Sequence, residues 1–287
     1  MLKFPDSKIY FLTDMHADAA AFRRSMERCE KDSIIVIGGD TFDKGPSNLE
    51  LLREYKKFIR DGWNFKFVIG NHDVRQYMVL KYWFQQGDPK YAAAFTAKRF
   101  RSRINPLLHE CGGIEKAQQM FLSADGEFNW FFRDQLLIYR NNSFAFVHAG
   151  ISDLLAETIE QTSVFSINLR FRAMMNADPF ALYYGSLGSA IRTKYRDNDF
   201  AFTPHGTATL RKTGISAIVS GHFNVLDGHE LKIMNGTPQF FCDCVVDSAS
   251  RKKYNMKTPG WAVLEINPHT RKIIGRSSEK TLTLYEE

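Results

Sequence analysis

The chain has 287 residues, 44% of them hydrophobic and 24% charged, which is typical of a globular protein with a substantial core. Its formal net charge of +6 favours an anionic partner but does not distinguish a phosphoprotein from a nucleotide or a nucleic acid. No apolar run is as long as a membrane span, and the four cysteines follow no disulfide or zinc pattern, which indicates a reduced, cytoplasmic protein without a membrane partner.

Predicted strands and helices alternate over the first 70 residues. Apolar runs predict strands at 8–13, 34–37 and 65–69, and apolar residues at helical spacing predict helices at about 17–30 and 48–60. The run at 34–37 consists of β-branched residues, as in a strand that is buried on both faces. This alternation indicates parallel strands joined by right-handed crossovers in a covered sheet.

The segment from about 74 to 132 has a different character, because it is rich in aromatic and basic residues. We predict a mostly helical cap that is inserted beside the sheet, within a single domain that covers residues 1–287. Its closely spaced basic residues are Lys98, Arg99, Arg101 and Arg103. They indicate either a solvated helix face or a surface that contacts the substrate.

The remaining chain returns to strands after each irregular or helical stretch. Further strands are predicted at 136–139, 144–147, 216–219, 240–246 and 261–266. The first two flank Asn141-Asn142, a tight-turn signal, and so predict a hairpin. We expect the last two strands to close a second sheet.

Polar side chains that can bind metal follow the predicted strands in five places. They are Asp14 and His16, Asp40 and Asp43, Asn71 and His72, His148, and His222. We expect all five places to share one edge of the fold, where α/β sheets bind ligands. Mixed His, Asp and Asn donors suit Mn²⁺, Fe²⁺ or Zn²⁺. The number of donors predicts two divalent ions, with Mn²⁺ as the first choice and Asp40 as the bridge between them. Such a pair activates water and clamps the attacking oxygen of a phosphoryl displacement.

These residues stand in five ordered motifs. The motifs are Asp14-x-His16, Gly39-Asp40-x-x-Asp43-Lys44-Gly45, Gly70-Asn71-His72-Asp73, His148-Ala149-Gly150 and Gly221-His222. Their order resembles the signature of the calcineurin-like metallophosphoesterase superfamily. The third and fourth motifs are similar to the branch that holds phosphoprotein Ser/Thr phosphatases and symmetrical diadenosine tetraphosphatases. The resemblance implies an α/β fold, an αββα sandwich of two mixed β-sheets flanked by helices.

The resemblance also implies a role for each site residue. One metal ion would be held by Asp14, His16 and Asp40, and the other by Asp40, Asn71, His148 and His222. His72 would be the general acid, with Asp43 hydrogen-bonded to it. The phosphate would be bound by Lys44, Asn71 and an arginine, for which Arg196 is one candidate and Arg192 another.

The chain departs from the family pattern at a few positions. Lys44 stands where that branch carries arginine, and lysine keeps the charge without the bidentate fork. Asn224 stands where many members have a second histidine, so it is a candidate ligand or substrate contact. For His205 and His229 we favour structural roles.

The main functional prediction is a metal-dependent phosphoesterase that hydrolyses a phosphomonoester in the manner of a phosphoprotein phosphatase. A second hypothesis is a dinucleoside polyphosphate hydrolase, in which the aromatic cap stacks on the bases. A third is a metal-binding scaffold that has lost catalysis, because of Lys44 and Asn224. A nucleic-acid phosphodiesterase is a further hypothesis because of the basic cap, and it predicts binding that falls steeply with salt.

Overall fold

The protein is described by a computed structural model over residues 7–92, 105–192, 201–243, 255 and 260–286. The predicted basic cluster (Lys98, Arg99, Arg101, Arg103) lies outside these ranges. The strands are β1 (Ile9–Leu12), β2 (Ile34–Ile37), β3 (Asn64–Phe67), β4 (Tyr139–Asn141), β5 (Phe144–Phe146), β6 (Ala217–Ser220), β7 (His229–Met234), β8 (Thr237–Cys242), β9 (Ala262–Asn267), β10 (Lys272–Ser277) and β11 (Thr281–Tyr285).

The helices of the described ranges are α1 (Ala19–Met26), α2 (Asn48–Arg60), α3 (Asn71–Tyr82), α4 (Pro89–Ala92), α5 (Pro106–Cys111), α6 (Ile114–Leu122), α7 (Asn129–Arg133), α8 (Asp153–Gln161), α9 (Val164–Ala177), α10 (Pro179–Tyr184), α11 (Ser189–Arg192) and α12 (Pro204–Lys212). Short 3₁₀ turns lie at Trp83–Gln85 and Ser186–Gly188. Among the described helices, none is long and apolar enough to cross a bilayer.

The strands form two mixed β-sheets. The first sheet has the order β11-β10-β9-β1-β2-β3, with β1, β2 and β3 parallel and β9 antiparallel to β1. The second has the order β4-β5-β6-β8-β7, with β5, β6 and β8 parallel and the two edge strands antiparallel to their neighbours. The loops that follow the parallel strands of the two sheets meet at one edge of the molecule. His148, after β5, contacts the Gly38 carbonyl after β2, and the His222 nitrogen, after β6, contacts Asp14 after β1.

The prediction that both C-terminal strands close a second sheet is wrong for the later one. β8 lies in the second sheet, beside β6. β9 instead pairs with β1 in the first sheet, where Leu264 lies opposite Phe11. The physical reason lies in β1, which has β2 on one side and needs a second strand on its other side. An apolar β9 on the other side satisfies the backbone groups of what would otherwise be a sheet edge.

The two sheets pack face to face, and successive residues of β5 point to opposite layers. Phe146 faces the first sheet, and its ring centroid lies 5.9 Å from that of Phe11 in β1. Its neighbour Ala145 belongs to a separate apolar cluster with Leu155 of α8 and Leu210 of α12. Helices therefore cover the outer face of the second sheet.

Helices α1 and α2 cover the outer face of the first sheet. The ring of Phe22 in α1 lies 6.3 Å from that of Phe65 in β3, and Tyr55 in α2 lies 5.4 Å from Phe67, between centroids. The layers run helix, sheet, sheet, helix, which confirms the predicted αββα sandwich.

The helical segment between β3 and β4 leaves and rejoins the first sheet at one place. Val68 pairs with Leu136, and the backbone nitrogen of Ile69 donates to the Leu136 carbonyl at 2.9 Å. Helices α3 to α7 lie between these points. Phe131 of α7 contacts Phe42, which follows β2, with 5.1 Å between ring centroids. The segment is thereby packed on the core that supports the site.

Candidate metal centre

The loops that leave β1, β2 and β6 have an unusual backbone conformation. Among the described residues, eleven other than glycine have a positive φ, and seven of them lie in these loops. The seven are Asp14, His16, Ala17, Asp40, Asp43, Lys44 and His222. Each such residue costs about 1–3 kcal/mol and persists only where its surroundings impose it, most often at functional sites. The strain is concentrated where the site motifs were predicted.

Three predicted ligands form a close triangle. The Oδ1 atom of Asn71 lies 3.0 Å from Nε2 of His148 and 2.9 Å from Nδ1 of His222, and the two nitrogens are 3.2 Å apart. Oδ1 of Asp40 is 3.4 Å from His148 Nε2. Atoms bound about 2.1 Å from one ion lie about 3.0 to 3.4 Å from each other. The four groups therefore have the spacing of ligands to a common cation.

The hydrogen bonds of His148 determine which of its nitrogens carries a proton. Its Nδ1 lies 2.8 Å from the carbonyl oxygen of Gly38, which can only accept, so Nδ1 donates. Nε2 then presents a lone pair to the Asn71 oxygen. Two acceptors at this distance repel each other unless a cation lies between them, so this pair fits a metal ion.

His16 is oriented in the same way. Its Nδ1 donates to the carbonyl of Phe42 at 3.1 Å, and its Nε2 lies 3.8 Å from both Asp14 Oδ1 and Asp40 Oδ2. The ammonium of Lys44 donates to this Nε2 at 2.8 Å. Burial, then the charge of Lys44, lower the pKa of His16 well below its usual value, so the imidazole is neutral. The Lys44 ammonium therefore lies beside the His16 nitrogen that is predicted to bind metal, at a position that favours positive charge.

Asp40 belongs to both ligand groups. Its ligand atoms converge with those of His16 and His72 on one side and with those of His148 and His222 on the other. One carboxylate oxygen, Oδ1, faces His148, whereas Oδ2 faces His16 and His72. Burial, then the neighbouring Asp14 carboxylate, raise the pKa of Asp40 well above its usual range. A buried pair of acids in this position fits bound cations, which offset their repulsion.

Two glycines allow the loops to approach closely enough to build this centre. A Cβ on Gly70 would overlap the backbone nitrogen and Oδ1 of Asp40. A Cβ on Gly221 would overlap Oγ1 of Thr13 and Oδ2 of Asp14. Both positions therefore require the absence of a side chain, which explains why these motifs contain glycine there.

His72 and Asp43 form a hydrogen-bonded pair beside the metal ligands. Nδ1 of His72 lies 3.0 Å from Oδ2 of Asp43, and both side chains are buried. Nε2 of His72 faces the centre, 3.8 Å from Oδ2 of Asp40. The backbone nitrogen of His72 also donates to Asp40 Oδ1 at 2.8 Å. This places one imidazole nitrogen at the centre and ties the other to a carboxylate.

The sequence pattern of the calcineurin-like phosphoesterase family matches residues 7–225, which is most of the chain. The chain belongs to this family. It is therefore a metal-dependent phosphoesterase, from a family whose centre is dinuclear, and the ligand groups described above fit such a centre.

Solved structures of phosphatases share the fold of this phosphoesterase. A cold-active protein-tyrosine phosphatase of a psychrophilic Shewanella species is 19% identical with a TM-score of 0.66, and the match covers 98% of this chain and 81% of that one. A Saccharomyces cerevisiae protein serine/threonine phosphatase is 15% identical with a TM-score of 0.56, covering 99% and 82%. A comparison with curated proteins found no matching sequence.

Two of the other residues singled out in the sequence, Asn224 and His229, have hydrogen-bond partners outside the ligand groups. Arg196 is outside the described residues. Asn224 is oriented by Asp243, to whose Oδ2 it donates at 2.8 Å. Nε2 of His229 is 3.2 Å from the carbonyl of Lys280, which supports its predicted structural role.

Arg192 lies on a helix that is hydrogen-bonded to the loop of His148. Its helix, α11, accepts hydrogen bonds through Ala190 and Ser189 from the backbone that follows His148. Its Nε donates to the carbonyl of Tyr183 at 2.6 Å, and its guanidinium lies 5.2 Å from the centre of that ring.

Asp73 is a site residue to which the sequence reasoning assigned no role. Its carboxylate accepts from the backbone nitrogens of Thr41 and Gly70, each at 2.9 Å, and of Phe42 at 3.3 Å. It thereby ties the loop after β2 to the start of α3. Burial, then the charge of Asp40, raise the pKa of Asp73 to about 7. The only signal for it was its place in the third motif, next to His72.

Proposed function

We propose that this phosphoesterase hydrolyses phosphomonoesters of proteins. The observation that carries the proposal is the position of the His72–Asp43 pair directly beside Asp40, which belongs to both ligand groups. That arrangement supports proton delivery to a leaving oxygen at the point where a phosphate would be bound. Both similar structures are described as protein phosphatases, one for phosphotyrosine and one for phosphoserine or phosphothreonine.

The proposed ligand sets divide at Asp40, and the first includes Asp14 in place of His72, because His72 is paired with Asp43 and is assigned a different role. Asp14, His16 and Asp40 would hold one ion, and Asp40, Asn71, His148 and His222 the other. When bound, a pair of divalent ions, for which we propose Mn²⁺, neutralises phosphate oxygens and lowers the pKa of water to near neutral. The hydrogen bonds to Gly38 and Phe42 keep the imidazoles of His148 and His16 in the tautomer that can bind metal.

His72 has the geometry of a general acid. Asp43 holds its Nδ1 proton and favours the imidazolium form, since a carboxylate stabilises a positive charge beside it. Nε2 can then donate its proton to the alkoxide or phenoxide that leaves phosphorus, and the neutral imidazole remains. General acid catalysis of this kind contributes about 10²- to 10⁴-fold.

Lys44 and Arg192 are the proposed phosphate-binding cations among the described residues. Lys44 donates to His16 within the ligand cluster, so its ammonium can move onto a phosphate oxygen that enters there. Arg192 is held by Tyr183 at the edge of the loop that carries His148. Asn71, whose side chain lies between two histidines, is proposed as a metal ligand and as a substrate contact.

A second candidate function, dinucleoside polyphosphate hydrolysis, is favoured by one cavity. It has a volume of about 730 Å³ and is lined by Trp83, His109 and Pro46, the last of which lies two residues after Lys44. A volume of this size accommodates a nucleoside, and an indole ring can stack on a base.

The two candidates are separated by turnover measurements with Mn²⁺. We expect a higher kcat/KM on phosphoserine and phosphotyrosine peptides than on diadenosine tetraphosphate, and no effect of Trp83→Ala on peptide turnover. Turnover confined to diadenosine tetraphosphate, with a loss in Trp83→Ala, would replace the main proposal by the second. An inactive chain that still binds metal would support a non-catalytic scaffold.

A further inference from the structure

Glu110 of α5 makes an unusual set of contacts with the start of α2. One carboxylate oxygen accepts from the backbone nitrogen of Asn48 at 2.9 Å and from its side-chain Nδ2 at 2.6 Å. The other accepts from Ser47 Oγ at 3.0 Å and from the Leu49 nitrogen at 2.9 Å. Four hydrogen bonds thus join one side chain of the helical insertion to the first turn of α2.

The same contacts fix the orientation of the Asn48 amide. Because Nδ2 donates to Glu110, Oδ1 points the other way and accepts from the backbone nitrogen of Asp43 at 3.0 Å. Asp43 in turn accepts from His72 Nδ1 at 3.0 Å. Three successive hydrogen bonds therefore connect Glu110 to the proposed proton donor.

The backbone of Asp43 needs such support. Asp43 and Lys44 have φ values of 76° and 73°, so two consecutive residues with side chains adopt the left-handed conformation. This conformation is unfavourable for such residues and persists where other contacts impose it. Within the turn, Asp43 Oδ1 accepts from the Lys44 nitrogen at 2.8 Å. The contact from Asn48 anchors the same turn from outside.

Helix capping alone does not account for Glu110. Ser47 already occupies the N-cap position of α2, and its hydroxyl accepts from the Glu50 nitrogen at 3.2 Å. Glu110 adds a charged acceptor at a helix N-terminus, where negative charge is favourable. Its contact with the Asn48 side chain, however, extends beyond the helix to the Asp43 turn.

From these contacts we infer that Glu110 and Asn48 are positioning residues for the His72–Asp43 pair. They act through the backbone of Asp43 and touch no substrate. The inference rests on the proposed role of His72 as proton donor, and it assigns to the helical insertion a part in aligning that donor.

The test uses the dependence of rate on the leaving group. A mispositioned proton donor slows esters of weakly acidic alcohols and phenols, whereas p-nitrophenolate leaves without much help. We expect Glu110→Ala to lower kcat on phenyl phosphate about tenfold and on p-nitrophenyl phosphate less than about twofold. Metal content and KM should be unchanged. Asn48→Ala should give the same pattern, and the double variant no further loss, because the two residues act in one chain of contacts.

Two further variants complete the experiment. Glu115→Ala, at an exposed glutamate in the first turn of α6, is the matched control and should behave as the unaltered chain. Glu110→Gln keeps one acceptor oxygen, and it replaces Glu110→Ala in the same measurements if the alanine variant does not fold.

The outcomes separate this inference from the proposed function. Equal losses on both esters, or losses that follow metal content, would overturn the positioning role while the proposed function stands. No turnover of any phosphomonoester by the unaltered chain would refute the proposed function and this inference with it.

Discussion

Replacing Gly70 by alanine tests whether the metal centre requires the close contact between the loop of Gly70 and the loop of Asp40. Gly70 has φ −104° and ψ 172°, a conformation that alanine adopts freely, so backbone strain plays no part. The added Cβ would overlap both the backbone nitrogen and Oδ1 of Asp40, whereas an ordinary contact needs at least 3.4 Å. We estimate that the two loops must separate by about 1 Å, and a displacement of that size costs about 100-fold in rate.

We therefore expect Gly70→Ala to lower kcat on p-nitrophenyl phosphate about 100-fold and to reduce the bound metal, because Asp40 belongs to both ligand groups. Overpacking should also lower the free energy of unfolding by about 1–3 kcal/mol, measured in urea. Gly87→Ala is the matched control, since nothing lies within 4 Å of its Cβ position. If Gly70→Ala kept normal turnover and full metal content, the proposed geometry of Asp40 would be refuted.

Three other substitutions test the phosphate contact, the proton donor and the packing of the helical insertion. Lys44→Ala should raise KM for a phosphomonoester about tenfold or more without loss of metal, since it removes a charged phosphate donor; an unchanged KM would contradict that role. Asp43→Asn should reduce kcat mainly for esters with poor leaving groups, because His72 loses the carboxylate that favours its protonated form. Phe131→Ala should destabilise the chain by about 3–5 kcal/mol in one cooperative transition, because this buried ring packs on Phe42. Two separate transitions would instead show that the helical insertion unfolds independently.

Much of the fold follows from the sequence because buried strands and amphipathic helices leave strong local patterns. The helix predicted at 48–60 has those bounds in α2, and the apolar run at 34–37 is β2. The predicted helix at 17–30 is shorter, Ala19–Met26, because its polar end forms turns. The sheet to which β9 belongs could not be predicted, since an apolar strand carries no local record of its partner.

The site likewise contains residues that the sequence predicts and residues that only the structure reveals. Its metal-binding residues could be predicted because each follows a strand within a motif. Glu110 could not, because its partners at the start of α2 are more than sixty positions away and no local pattern marks it. The same holds for the pairing of Asn224 with Asp243. Residues that orient others through tertiary contacts are therefore visible only in the structure.

We propose that one carboxylate, Asp40, is a ligand of both metal ions. The most direct measurement is the electron paramagnetic resonance spectrum of the protein reconstituted with Mn²⁺, together with its metal content. The unaltered chain should hold two ions and give the signal of an exchange-coupled pair, and Asp40→Asn should bind fewer ions and give only the signal of isolated Mn²⁺. An uncoupled spectrum in the unaltered chain, or a coupled pair that persists in Asp40→Asn, would contradict the claim.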